Sequence, residues 1–147
     1  GRAAGGGRDA GRGMGGAVSA GRDPGVIPEI RFCVAAAEGP VRVDVVGLVR
    51  DPKSGQLLAV HRSRSSAVKW TASAWNGRSV GFGDSARRAA RAALLRAASF
   101  ADTGGDFAAL VRSRPGVENP PTPQLRREWL LLPEQRKAFD ESRGVPS

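Results

Sequence analysis

The side chains of this chain best equipped for chemistry are its cations. Arg62, Arg64 and Lys69 lie close together, Arg78 follows, and Arg87, Arg88 and Arg91 recur at helical spacing. Guanidinium and ammonium groups neutralise phosphates and carboxylates, so these seven predict a surface for RNA, a nucleotide or an acidic protein surface. Arginines so placed serve equally well as the solvated outer faces of a fold. The charge is concentrated, with residues 41–100 summing to +8 while the signs cancel over 101–147. Groups for metal or nucleophilic work are scarce by comparison. Cys33 is the only cysteine and His61 the only histidine, which excludes an intrachain disulfide framework and a Cys/His zinc cluster. Cys33 is expected as a small buried hydrophobe and His61 as a strand-end residue, packed or on the surface. Trp70 and Trp75 either stack on a base or pack in the core.

Composition bounds the rest. A chain of 147 residues, 40% hydrophobic and net +9, fits one small domain with tails. No run approaches the roughly 18 apolar residues of a spanning helix. The lone cysteine fits an intracellular, reducing compartment, cytoplasm or organelle matrix. The first residue is glycine, which suggests a processed or partial chain, and the oligomeric state is left open. The abundance of Ala, Arg and Gly and the lack of tyrosine look like GC-rich coding bias.

Three segments follow. Residues 1–28 are Gly- and Arg-rich with almost nothing large to bury, and are expected to be a disordered tail. Residues 30–140 form the domain, and 141–147 a C-terminal tail. Within the domain, VRVDVVGLVR from Val41 to Arg50 predicts a strand with Val43, Val45 and Val49 on one face. Pro52 and Gly55 supply a turn, and LLAVHRS from Leu57 to Ser63 returns as the second strand of a hairpin. After a basic loop and a Gly-containing stretch, Asp84 or Ser85 caps a helix over Ala86 to Phe100. Its arc of Ala86, Ala89, Ala90, Ala93, Leu94, Ala97 and Phe100 is apolar, with Arg87, Arg88, Arg91 and Arg96 outside it. Phe107 to Arg114 reads as a strand, four prolines follow, Arg127 to Leu132 reads as a last strand, and Pro133 opens a short helix. The string β-β-loop-α-β-β-α is an α+β pattern.

GLVRDPKSGQLLAVHRSRSSAVKW (Gly47 to Trp70) followed by NGRSVGFGDSARRAARAALLRAASF (Asn76 to Phe100) resembles the first hairpin and signature helix of the Nudix family. The likeness covers residues 41–100 and implies a Nudix-like α/β/α sandwich, shortened after the helix. In that family, helix glutamates bind magnesium or manganese and help generate the water that cleaves a diphosphate linkage. With Asp84 at the first acidic position, the frame puts Arg78 at the first glycine, Ala92 and Ala93 at the Arg-Glu pair, and Arg96 and Ala97 at Glu-Glu. Methyl groups cannot ligate a hard cation and a guanidinium repels one. The resemblance therefore implies a catalytically degenerate box, with Asp84 serving as an N-cap. No catalytic residue, metal or cofactor is expected in a domain that binds RNA, a nucleotide or a protein partner. The alternatives are a divergent, magnesium-dependent hydrolase of nucleoside diphosphate-linked substrates, drawing on Asp102, Asp106 or Glu118, and a structural or incomplete domain with no ligand.

Overall fold

The turn after Arg50 forms around Asp51, whose carboxylate accepts from the amide and hydroxyl of Ser54 at 3.0 and 2.5 Å while Gly55 takes φ +75°. This closes the predicted hairpin in the computed structural model, which describes residues 24–65 and 67–143. Strands β1 (Phe32–Ala36) and β2 (Gly39–Val43) form one antiparallel pair. A second antiparallel sheet has the order β3 (Val45–Arg50), β4 (Leu57–Arg62), β5 (Trp70–Ala74), β6 (Ser79–Gly83), each strand beside its sequence neighbour. Helices α1 (Ala86–Asp102), α2 (Phe107–Ser113) and α3 (Pro133–Ser142) complete an α+β fold.

The continuous strand expected over Val41 to Arg50 is two strands in two sheets, broken at Asp44. A bulge follows at once, since Val45 pairs with His61 and Gly47 with Val60. The extra residue reverses the alternation. Val45 and Leu48 consequently face one core, and Val46 and Val49 the other. Val43, Val45 and Val49 do not share a face. Gly47 is required at the bulge because a Cβ there would lie 2.2 Å from Leu131 Cγ.

The first core lies under α1. Ser85, not Asp84, caps this helix, its hydroxyl accepting from the Arg88 amide at 3.2 Å. The expected alanine face packs on the sheet: Ala86, Ala89, Ala90, Ala93 and Ala97 are buried, with Leu94 and Phe100 half-buried beside them. Alanine on the helix and glycine on the strand permit an unusually short approach. A Cβ added to Gly81 would come within 2.4 Å of the Ala93 amide nitrogen, and one on Gly83 within 2.6 Å of that of Ala89.

The second core lies on the opposite face, where the expected α/β/α layering is not what the described residues form. That face is covered by the β1–β2 hairpin together with Ile27, Ile30, Leu125 and Trp129. Asn119 fastens the proline-rich stretch to this layer, accepting from the Cys33 amide at 2.7 Å and donating to the carbonyls of Cys33 and Trp75 at 3.0 and 2.8 Å. The side chain stands in for a missing strand's hydrogen bonds where proline could not supply them.

Two further expectations are corrected. Phe107 to Arg114 is helix α2, because the Asp106 carboxylate caps it by accepting from the Ala109 amide at 3.2 Å and Phe107, Leu110 and Val111 repeat at helical spacing against the first core. Arg127 to Leu132 is a 3-10 turn over Arg127–Trp129 followed by one parallel bridge, Leu48 to Leu130. The bridge and the Gln135 amide, paired both ways with the Arg50 backbone at 2.9 and 2.6 Å, seal the β3 edge of the sheet.

At the ends, the described chain is packed earlier than expected. Ile27 is buried and its amide donates to the Val45 carbonyl at 2.8 Å, while residues 1–23 of the predicted tail lie outside the described residues. Glu141 and Ser142, assigned above to a C-terminal tail, belong to α3, and 144–147 lie outside the described residues. Among the described residues no helix is long and apolar enough to cross a membrane.

Candidate polyanion-binding site

Cross-strand register aligns Arg62 on β4 with Trp70 on β5, and Trp70 with Gly83 on β6, at one end of the four-stranded sheet. Arg62 lays its guanidinium over the Trp70 ring at 4.5 Å from the centroid, a cation–π contact that fixes the charge at the sheet end. Lys69 is exposed beside it on the loop, its carbonyl accepting from the Ser63 amide at 3.0 Å. Gly83 leads through Asp84 and Ser85 straight into α1, so the exposed Arg87 and Arg88 reach the same end. No acidic residue stands in the first turn of that helix. Asp84 meets Arg88 at 3.4 Å, but both side chains are mostly in water, where such a pair is weak.

The other predicted cations are committed elsewhere. Arg64 shares the loop but pairs with Glu38 at 2.7 Å, whose carboxyl is held below its ordinary value by its own backbone amide and by Arg64. Arg91 pairs with Glu134 of α3 at 2.6 Å and holds that carboxyl down in turn. Arg78 lies at the opposite end of the sheet, in the β5–β6 turn, with its Nε donating to the Pro115 carbonyl and its amide to Asn76 Oδ1 at 3.1 Å. It is a tether for the chain after α2. Of the seven cations, the fold thus gathers Arg62, Lys69, Arg87 and Arg88, with Arg64 adjoining, and separates Arg78 and Arg91 from them.

The box positions read from the sequence have equally definite places. Ala93 and Ala97 are buried against the sheet at 0% and 1% exposure, Ala92 is half-buried, and Arg96 is exposed. The first two face apolar neighbours where a carboxylate would have neither solvent nor room. Asp106 caps α2, and among the described residues no group of three or more His, Cys, Asp or Glu side chains converges.

Neither tryptophan is open to a base. Trp70 is 3% exposed in the first core, and Trp75 packs on Phe32 at 5.0 Å between centroids while its Nε1 donates to the Pro120 carbonyl at 2.7 Å. The aromatic surface instead belongs to Phe82, 46% exposed and cross-strand from Thr71. The sequence reading overlooked it, although the glycines at 81 and 83 turn their Cα toward α1 and so leave Phe82 on the other face of the sheet. Cys33 is half-buried in β1.

Comparison of the chain with family models, with characterised proteins and with solved structures finds no match.

Proposed function

We propose that this chain is a catalytically degenerate Nudix-like domain that binds a polyanion, single-stranded RNA above all, at the sheet end carrying Arg62, Lys69, Arg87 and Arg88. The observation that carries the reading is the register from Arg62 through Trp70 to Gly83, which puts a loop and a helix start, both basic, at one edge of the molecule. Phe82 favours RNA over a compact anion, because an exposed ring on β6, on the sheet face away from α1, offers a base a stacking surface independent of its sequence. The Nudix likeness is supported by the order hairpin, loop, Gly-Asp-Ser turn and capped alanine helix, and the loss of catalysis by methyl groups at the ligand positions.

The test is fluorescence anisotropy with a short labelled single-stranded RNA over a range of salt. Each neutralised phosphate contributes a slope of about −0.7 in log affinity against log salt, so four contacts give nearly −3. The Arg87→Glu, Arg88→Glu double variant flattens the slope and weakens binding, and Phe82→Ala weakens binding with the slope unchanged. Binding to RNA that neither variant alters would overturn the assignment.

A further inference from the structure

Further along α1 a second basic feature differs in kind from the exposed sheet end. A recess of about 410 Å³ opens between the later turns of α1 and helix α2. Its walls are apolar, formed by Val80, Phe100, Phe107 and Leu110, and two arginines, Arg96 and Arg114, stand at it with the Ser99 hydroxyl. Among the described residues neither guanidinium has an ion pair or hydrogen-bond partner, in contrast to Arg64, Arg78 and Arg91. The position of Arg114 is fixed through its backbone. Asn76 Nδ2 donates to the Arg114 carbonyl at 3.2 Å and to that of Val111 at 2.9 Å, which ties the end of α2 to the β5–β6 turn and leaves the Arg114 side chain free. Phe100 is held from behind, its ring lying where a Cβ on Gly105 would be, 2.4 Å away.

We infer that this recess binds a small phosphate monoester carried on an aromatic ring. Two unpartnered guanidiniums supply paired donors that match phosphate oxygens. The phenylalanine and aliphatic walls supply a dry seat for a ring, and the volume lies within the range of small-molecule sites. No side-chain amide or carboxylate lines the recess, so a base would be held by its faces and not read by its edges. A nucleoside monophosphate and a simple aryl phosphate share the chemistry required. Arg96 lies nine residues beyond Arg87, about 13 Å along the helix axis, so the site is separate from the sheet end.

Isothermal titration of the full chain with AMP, phenyl phosphate, adenosine and inorganic phosphate tests this. AMP and phenyl phosphate should bind, and adenosine and inorganic phosphate should each bind at least about tenfold more weakly, since each lacks half of the recognised group. Arg96→Ala and Arg114→Ala should each weaken AMP and phenyl phosphate about tenfold, the scale of one charge-assisted contact. Both side chains are exposed, so thermal unfolding should be unchanged. The Arg87→Glu, Arg88→Glu variant should leave AMP affinity intact while impairing RNA binding, which keeps failure at one site distinct from failure at the other. Absence of AMP binding at millimolar concentration, AMP no tighter than inorganic phosphate, or AMP affinity lost in the Arg87/Arg88 variant but kept in Arg96→Ala and Arg114→Ala would overturn the assignment. Binding of AMP with phenyl phosphate inert would overturn it as well, because the ring would then not be the recognised element.

Discussion

His61 and Ser73 form a buried cross-strand pair, with Nε2 of the imidazole 2.9 Å from the serine Oγ. The other ring nitrogen, Nδ1, lies 2.8 Å from the Arg62 carbonyl, which can only accept. The proton of neutral His61 therefore sits on Nδ1, and Ser73 donates its hydroxyl to Nε2. Both side chains are within 3% of complete burial, and the pair acts as a polar rivet between β4 and β5.

This pairing makes stability depend on pH near neutrality. Burial lowers the His61 pKa below its ordinary 6.5, against the smaller opposing pull of the Arg62 carbonyl. A group whose folded pKa is depressed binds its proton more readily in the unfolded chain, so the contribution is complete above 6.5 and is lost as pH falls from there toward the folded value. Urea unfolding at a series of pH values between neutral and mildly acidic should show stability dropping by up to about 1.4 kcal/mol per pH unit. Glu38 and Glu134, lowered from 4.5, add their own losses only at more acidic pH. His61→Gln should abolish the near-neutral slope and keep the acidic one.

Placing carboxylates at the positions that the Nudix likeness aligns with glutamates should break the fold before it builds a metal site. Ala93 is fully buried with its backbone close against Gly81, so Ala93→Glu must overpack the contact and bury an unpaired charge. The cost is roughly 3 kcal/mol or more, whereas exposed Arg96→Glu should change stability by less than about 0.5 kcal/mol. Thermal unfolding with and without magnesium checks this, with the expected result that the ion rescues neither Ala93→Glu nor Ala97→Glu. Wild-type chain incubated with magnesium and a panel of nucleoside diphosphate derivatives should release no phosphate or nucleoside monophosphate.

Asn119 should be a larger contributor to stability than its surface-loop setting suggests. Asn119→Ala removes three hydrogen bonds at once and leaves the Cys33 amide and the Cys33 and Trp75 carbonyls without that partner. The expected loss is about 2 kcal/mol, read by denaturant titration. Asn119→Asp should recover only part of it, since a carboxylate accepts from the Cys33 amide but cannot donate to the two carbonyls.

The sequence by itself determined the local elements whose causes are local. The Pro52/Gly55 turn, the return through Leu57 and the alanine face of α1 each follow from neighbours within a few residues, and each stands where the pattern puts it. The excess charge between residues 41 and 100 was equally plain, but not its grouping. Whether Arg91 meets a ligand or Glu134, and whether Arg78 points to solvent or to Pro115, depends on segments more than 30 residues away that only folding brings near. The bulge at Gly47 was hidden for the same reason, because the close approach of Leu131 demands the glycine and nothing local in VRVDVVGLVR announces it. Helix α2 and the turn at Arg127–Trp129 were read as strands since short apolar runs carry too few repeats to separate the two periods, and a cap at Asp106 and a sheet edge at Leu48 decided them. Tertiary packing likewise gives Ala93 and Ala97 their place in the buried face of a helix, with Ala93 laid directly on Gly81.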